Sequence, residues 1–350
     1  MSRAGGGRFS AAAIAPTPKP ARAKTCGNNA EWIPMSIAKA VDVAYVRFSA
    51  PDLAKMQNFL LDFGMVDSVS DQAPDRLFMR GTGRAPFVHA TELGEPGFKA
   101  LGIWVRDRAD LEALAAHDGA SVEPLDAPGA GLVVRLTDPD GFLIEAVAEQ
   151  ETLPQVERTL PYPMPWNHGG EHPRIGSFRR VRQGASHVQR LGHCVFGVSN
   201  FRRSEQWYKE RFGFVTSDEI QPEPGVAIGA FMRADRGDEP CDHHTIFLFE
   251  PPKGPPEFMH SAFEVADVDD LMAGHDFLIQ AGWHQHWGVG RHILGSQIFD
   301  YWNDPWGHEI EHWTDGDQLR TADGGGIAGL DQLLGGQWGP PNPVLEKLGK

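Results

Sequence analysis

TDPDGFLIEAV, from Thr137 to Val147, and NDPWGHEIEHW, from Asn303 to Trp313, are two versions of one pattern within a single chain. In each, Asp-Pro-x-Gly predicts a tight turn, and the alternation of apolar and polar residues after the glycine predicts a strand. A pattern that recurs at this distance indicates two copies of one module. The repeat therefore decides the predicted fold.

Two further blocks repeat in the same order along the chain. VAYVRFSAPDL, from Val43 to Leu53, leads through a helical stretch to DFGM, and GHCVFGVSNF, from Gly192 to Phe201, leads through another to RFGF. A short apolar strand before an acidic helix start also occurs twice. These two stretches are GFKALGIWVRDRADL (Gly97 to Leu111) and EFMHSAFEVADVDDL (Glu257 to Leu271). Each half is thus predicted to be an α+β module of one strand, a helix and several more strands.

The repeat sets the predicted domain organisation of the 350 residues. We expect a first module over residues 41–150, a linker over residues 151–185 and a second module over residues 186–315. Residues 316–350 form a tail rich in Gly and Pro, interpreted as a flexible or wrapping segment. Residues 1–40 have a basic, Ala-, Gly- and Pro-rich start, which favours a disordered extension over the alternative of an organellar transit peptide.

Charge and composition exclude several classes of partner. The net charge of -15 offers no basic surface for a nucleic acid. No run of apolar residues approaches the length needed to cross a bilayer, so we expect no membrane association. Three cysteines cannot form a disulfide framework, and they agree with a reducing compartment, by default the cytoplasm.

The two halves differ where metal ligands would be placed. Aligning them puts three potential ligands of the second half opposite residues of the first. The aligned pairs are Tyr45 with His193, Ala100 with His260, and Glu145 with Glu311. Only the second half therefore combines two imidazoles with a carboxylate.

Two His and one carboxylate on one face of a curled sheet form the facial triad that leaves open positions on non-haem iron(II). A closed structural zinc site would want a fourth protein ligand, often sulfur. Cys194 adjoins His193, but neighbouring side chains of a strand point to opposite faces. The sequence therefore predicts an open metal site made of His193, His260 and Glu311.

The residues carry a resemblance to a known family. GRHILGSQIFDYWNDPWGHEIE (Gly290 to Glu311), LGHCVF (Leu191 to Phe196), MHSAFEV (Met259 to Val265) and HHT (His243 to Thr245) resemble motifs of the type I extradiol ring-cleavage dioxygenases. These enzymes belong to the vicinal oxygen chelate superfamily, also called glyoxalase/bleomycin resistance/dioxygenase. The likeness covers about residues 41–315. Asp300 departs from it, because the family usually has an apolar residue before the tyrosine, and we expect a local change near the substrate pocket there.

The resemblance implies an α+β fold of two tandem modules, each of paired βαβββ units forming an open cup-shaped sheet, with a non-catalytic first module and a catalytic, metal-binding second one. It implies Fe(II), with Mn(II) as the alternative, held by His193, His260 and Glu311. His244 is then the acid-base catalyst, while His292 and Tyr301 hydrogen-bond the substrate and act in catalysis. His243 is also assigned to the substrate, with a supporting role or a plain strand position as alternatives.

The function implied is extradiol (meta) cleavage of a catechol-type aromatic diol by O2 in the degradation of aromatic compounds. The partners are then the catechol-type substrate and O2, and the resemblance implies a homo-oligomer. Two alternatives within the superfamily remain open. One is a metal-dependent glyoxalase-like isomerase, for which the resemblance implies a metal site with ligands from both modules. The other is a non-catalytic protein that binds a small molecule.

Overall fold

The structure is a computed structural model that describes residues 36–68, 73–156 and 164–344. Its first half forms an eight-stranded sheet in the order β2-β3-β4-β1-β5-β8-β7-β6. The elements are β1 (Ala40–Ala50), α1 (Leu53–Asp62), β2 (Val66–Asp67), β3 (Arg76–Arg80), β4 (His89–Leu93), β5 (Gly97–Val105), α2 (Arg108–Asp118), β6 (Val122–Pro124), β7 (Leu132–Thr137) and β8 (Leu143–Ala148).

The second half forms a ten-stranded sheet in the order β19-β10-β11-β13-β9-β14-β17-β16-β15-β20. Its elements up to the last strand of the repeat are β9 (Arg190–Gly197), α3 (Phe201–Phe212), β10 (Val215–Ile220), β11 (Gly229–Arg233), β12 (Cys241–Asp242), β13 (Ile246–Phe249), β14 (Glu257–Glu264), α4 (Val268–Ala281), β15 (Gln285–His292), β16 (Ile298–Asn303) and β17 (Glu309–Thr314). The eight inner strands repeat the order of the first sheet. The predicted fold class, α+β with two tandem modules, is confirmed.

The tail adds strands to the second sheet. It contains β18 (Gln318–Leu319), a short 3-10 helix (Thr321–Asp323), β19 (Gly326–Ala328), α5 (Leu330–Leu334) and β20 (Gly336–Trp338). β19 pairs with β10 and β20 pairs with β15, so both edges of the repeated eight-stranded sheet are covered. β18 pairs with β12 as a separate two-stranded sheet.

Local signals explain where the elements begin. Each of the helices α1 to α4 follows an Asp or Asn whose side chain accepts a hydrogen bond from the backbone three residues later. In the Asp-Pro-x-Gly turns, Asp138 accepts from the N–H groups of Asp140 and Phe142, and Asp304 does the same two and four residues on. Gly141 and Gly307 take φ angles of 92° and 91°, a region that residues with a Cβ rarely adopt.

Aromatic side chains join the two sheets. Phe98 of β5 stacks on Phe258 of β14 with ring centroids 4.1 Å apart and an interplanar angle of 4°. Behind β17, the buried imidazole of His312 lies 2.6 Å, through Nε2, from the carbonyl oxygen of Phe63. The strand that carries a predicted ligand is thus hydrogen-bonded on its other face to the first half.

Within the described ranges, no helix is both long and apolar enough to cross a membrane. Residues 1–35 of the predicted extension lie outside the described residues. Of the remaining five, Ala40 is the first residue of β1. The predicted module and linker boundaries stay predictions.

Candidate metal centre

The three predicted ligands lie on three adjacent strands, β9, β14 and β17. Pairing places His193 opposite Ala262, and Ala262 opposite Glu311. His260 precedes Ala262 by two residues and therefore lies on the same face of the sheet. Ala262, which has only a methyl group, leaves the space between the three larger side chains free.

The ligand atoms converge. His193 Nε2 lies 3.3 Å and His260 Nε2 lies 3.4 Å from Glu311 Oε2. One ligand atom from each residue lies within 4.8 Å of the others, and this is the one set of three metal-ligating side chains that comes together so closely among the described residues. A single cation between them would contact two nitrogens and one oxygen.

Several of these atoms lack ordinary partners. Within the described parts of the chain, His260 Nε2 and both carboxylate oxygens of Glu311 are buried without a hydrogen bond. Buried polar atoms normally have a partner, because burial without one costs about 1–3 kcal/mol. Two imidazoles and one carboxylate suit a divalent ion with open coordination positions, so the residues fit the metal that the resemblance implies.

The charge states agree with a ligand role. Burial acts to raise the pKa of Glu311, but the imidazoles of His193, His260 and His292 outweigh it and hold the pKa well below the usual range. Burial, with the nearby His260 and His292, lowers the pKa of His193 against the opposing effect of Glu311. An ionised carboxylate and a neutral imidazole are the forms that bind a metal.

Tyr301 and His292 border this cluster. Tyr301 of β16 pairs with Glu311 across the sheet, and its hydroxyl lies 3.1 Å from His292 Nε2. That same nitrogen is 3.8 Å from Glu311 Oε1. Burial, followed by the charges of Glu311 and Glu309, raises the pKa of Tyr301 well above its usual value. The phenol is therefore a hydrogen-bond donor at neutral pH.

His244 lies against the cluster on the other side. Its ring centroid is 4.0 Å from that of His193, and its side chain is buried. Burial and the neighbouring His193 and His243 lower its pKa well below the usual value. The geometry brings a neutral imidazole next to a predicted ligand.

His243 has protein partners at both ring nitrogens. Nε2 lies 2.7 Å from Asp218 Oδ2, and Nδ1 lies 3.1 Å from His244 Nδ1. These contacts favour the supporting role over the substrate contact assigned from the sequence. Asp218 was not singled out in the sequence, where no repeat or motif marks it.

Asp300 lies on the opposite face of the sheet from the cluster. It neighbours Tyr301 on β16, so the alternation of a strand turns it away from Glu311. Trp302 Nε1 donates to it at 2.7 Å, and His275 Nδ1 lies 3.1 Å from it. The expected change near the substrate pocket is therefore wrong, because this buried carboxylate joins β16 to α4 instead.

The first sheet contains the same row of positions with different chemistry. Tyr45, Gly102, Glu145 and Arg135 are paired in register, where the second sheet has His193, Ala262, Glu311 and Tyr301. Glu145 is fully buried and receives hydrogen bonds from three side chains. The donors are Tyr45 Oη at 2.8 Å, Arg47 Nη1 at 2.8 Å and Arg135 Nε at 3.0 Å.

A cavity of about 150 Å³ opens beside this network, with Tyr45, Phe87 and Arg76 in its wall. It lies away from the ligand cluster. Its three guanidinium groups are already paired with carboxylates: Arg47 with Glu92 and Glu145, Arg76 with Asp126, and Arg135 with Glu123 and Glu145. We therefore place the candidate site in the second sheet.

Residues 190–312 match the family model described as Glyoxalase/Bleomycin resistance protein/Dioxygenase superfamily. The chain is 28% identical over 309 residues to metapyrocatechase 2 of Cupriavidus necator, covering 86% of this chain and 89% of that protein. It is 25% identical over 297 residues to an iron-dependent extradiol dioxygenase of Rhodococcus jostii (strain RHA1), covering 79% and 90%. The Mn(II)-bound glyoxalase of Novosphingobium aromaticivorans shares its fold, with a TM-score of 0.70, 21% identity and coverage of 88% and 94%.

Proposed function

We propose that the chain cleaves a catechol-type aromatic diol with O2, because residues 190–312 match the Glyoxalase/Bleomycin resistance protein/Dioxygenase superfamily model and the chain is similar over most of its length to two extradiol dioxygenases. The observation that carries the proposal is the cluster of buried His193, half-buried His260 and buried Glu311, whose potential ligand atoms converge. His260 Nε2 and both carboxylate oxygens of Glu311 lie there without a hydrogen-bond partner among the described residues. The reaction is extradiol (meta) cleavage.

We assign the metal to these three residues, with iron(II) as the ion and manganese(II) as the alternative. When bound, such an ion supplies open positions for both catechol oxygens and O2 and a path for electrons from the ring to O2. The protein supplies two neutral imidazoles and one negative charge, which leaves the net positive charge needed to favour a deprotonated diol.

His244 is assigned the proton transfers. Burial lowers the pKa and keeps the imidazole neutral, so a lone pair is free to take a proton from the second hydroxyl of the diol, and the protonated imidazole then gives that proton up readily when the diol ring opens. Its ring contacts the ring of His193, so it lies directly beside one of the three assigned metal ligands. A neutral imidazole is suited to both steps, because it accepts and then donates at the same nitrogen.

Tyr301 and His292 are assigned to the reacting oxygen atoms. The tyrosine remains protonated because its pKa is raised, and its hydroxyl is aligned with His292 at 3.1 Å. Both groups border Glu311 and can donate or accept hydrogen bonds beside the cluster. We expect them to orient the substrate and stabilise developing negative charge on oxygen.

An isomerase site shared between both halves is less well supported. The only carboxylate of the first half that aligns with a ligand, Glu145, is already bound by Tyr45, Arg47 and Arg135. Freeing it for a metal would break three hydrogen bonds in a buried network. The ligand set of the second sheet is complete for an open site without it.

The test is oxygen uptake by anaerobically iron(II)-loaded protein with a panel of catechols, following the yellow ring-opened product. We expect turnover with at least one diol, a loss of at least about 1,000-fold in His260→Ala, and little change in His284→Ala. His284 is a matched control, since it is an exposed imidazole bonded to Asn303. Bound iron without oxygen uptake from any diol would contradict ring cleavage and favour an isomerase or a binding protein.

A further inference from the structure

A chain of three polar side chains leads from the protein surface to the ring beside the metal cluster. Asp218 of β10 is partly exposed, with 21% of its side chain accessible, while His243 is 5% accessible. His243 lies between Asp218 and His244: its Nε2 is 2.7 Å from Asp218 Oδ2, and its Nδ1 is 3.1 Å from His244 Nδ1. Neither Asp218 nor its contact with His243 has a role in the function proposed above.

The chemistry of the chain gives it a direction. A carboxylate can only accept, so His243 must donate from Nε2 to Asp218. With His243 neutral, its Nδ1 carries a lone pair, and the 3.1 Å contact is satisfied when His244 donates from its own Nδ1. The proton of neutral His244 is thus placed on Nδ1, and its Nε2 carries the lone pair.

Packing fixes the geometry of the chain. Gly295 takes a φ of 78°, and a Cβ added there would lie 3.1 Å from His243 Nδ1. On the other side, the ring of Phe231 lies 5.4 Å from His243 and 4.8 Å from His244, and it stacks on Phe247 at 4.0 Å. His243 is thus confined by the backbone of Gly295 and the ring of Phe231, and His244 packs against the same ring, which limits how far the two imidazoles can turn away from each other.

We propose that Asp218 and His243 are positioning residues, which hold His244 in the tautomer whose Nε2 is free to accept a proton. Asp218 acts through His243, as the carboxylate does in an Asp-His pair that orients a catalytic base. The inference rests on the proposed function for its catalytic meaning. The tautomer of His244 depends only on its contacts with His243 and Asp218, and it can be measured whether or not the protein cleaves a diol.

The first test compares three variants under conditions that saturate the diol and O2. An amide at position 218 can donate to His243 Nε2 and so reverse the direction of both hydrogen bonds, from residue 218 to His243 and from His243 to His244. An alanine leaves room for a water molecule to accept in place of the carboxylate. We expect Asp218→Asn to lower kcat about 10- to 100-fold with the KM for the diol within about twofold, and Asp218→Ala to lower kcat less. Glu219→Gln is the control, a neighbour that pairs with Arg202 instead.

The second test reads the tautomer without turnover. Long-range 1H–15N NMR of the full-length, 15N-histidine-labelled chain loaded with Zn(II) distinguishes the two neutral forms of His244, assigned by comparison with His244→Asn. We expect the proton on Nδ1 in the wild type and in Glu219→Gln, and on Nε2 in Asp218→Asn. A proton on Nε2 in the wild type, or the same tautomer in Asp218→Asn, would overturn the proposal.

The two tests separate the possible failures. If the wild type turns over no catechol, the proposed function fails, and the NMR result alone decides whether the chain sets the tautomer. If the wild type is active but Asp218→Ala loses as much as Asp218→Asn with no change of tautomer, Asp218 is only a packing element and the inference is wrong. A loss of kcat that follows the tautomer supports it.

Discussion

Two aligned carboxylates, Glu311 and Glu145, are expected to respond in opposite ways to the same substitution. Both are fully buried and lie at equivalent positions of the two sheets. Within the described residues Glu311 meets imidazole nitrogens at 3.3 and 3.4 Å, without hydrogen-bond geometry, whereas Glu145 receives three hydrogen bonds. Glu311→Gln should therefore remove metal binding, and Glu145→Gln should weaken the fold itself.

The magnitudes follow from linkage and from the contacts. At a metal concentration 100 times Kd, binding stabilises the wild type by about 2.7 kcal/mol, and if Glu311→Gln weakens binding about 1,000-fold that increment falls nearly to zero. With an unfolding entropy of about 2.1 cal/mol/K per residue over 350 residues, 1 kcal/mol shifts Tm by about 1.4 °C, so the wild type should gain about 4 °C in Tm on adding metal. Glu145→Gln should retain this gain but begin about 2 kcal/mol less stable, below the roughly 3–5 kcal/mol of a fully buried ion pair, because the side chains of Arg47 and Arg135 are 26% and 39% exposed.

The assay is anaerobic thermal unfolding of the wild type and both variants, each with and without Fe(II), and repeated with Mn(II). The reasoning is refuted if Glu311→Gln keeps the metal-dependent rise in Tm, since the cation would then be bound elsewhere. It is equally refuted if Glu145→Gln loses that rise, because the first sheet would then contribute to the metal site.

Two further predictions concern the framework and pH. Phe258→Ala should lower the free energy of unfolding by about 3 kcal/mol, because it removes the stack on Phe98, and urea titration should show the loss with the metal-dependent rise in Tm unchanged. The hydrogen bond to Asp300 raises the pKa of His275 against the effect of burial, so this pair adds stability that is complete below about pH 6.5 and is lost as pH rises through the raised pKa. His275→Gln should accordingly narrow the difference in unfolding free energy between pH 6 and pH 9; an unchanged difference would contradict this assignment.

The repeat made much of the fold predictable. Matching blocks such as those at Thr137 and Asn303 locate equivalent strands, and the observed sheet order is the same in both halves. The tail was harder to predict, because Gly326–Ala328 and Gly336–Trp338 are short and rich in Gly, and they become strands only by pairing with edges already formed. Their sequence carries no alternation long enough to indicate a strand.

The candidate site shows the same division between local and long-range information. His193, His260 and Glu311 could be chosen because the aligned first half has different residues at two of the three positions. Asp218 could not, since its partner His243 is distant in sequence and the contact depends on how β10 lies beside the His243–His244 stretch. Asp300 was misplaced for a simpler reason: the alternation of β16 that aims Tyr301 at the cluster turns Asp300 away from it.

The comparison of the two sheets explains why keeping a carboxylate is not enough to keep a metal site. Glu145 and Glu311 occupy the same register position, but Glu145 is surrounded by two guanidinium groups and a phenol, and Glu311 by imidazoles. Guanidinium groups are permanently charged donors that saturate a carboxylate, whereas neutral imidazoles offer lone pairs that need a cation. The residues facing the carboxylate, more than the carboxylate itself, therefore decide which half of this chain is built to bind a metal.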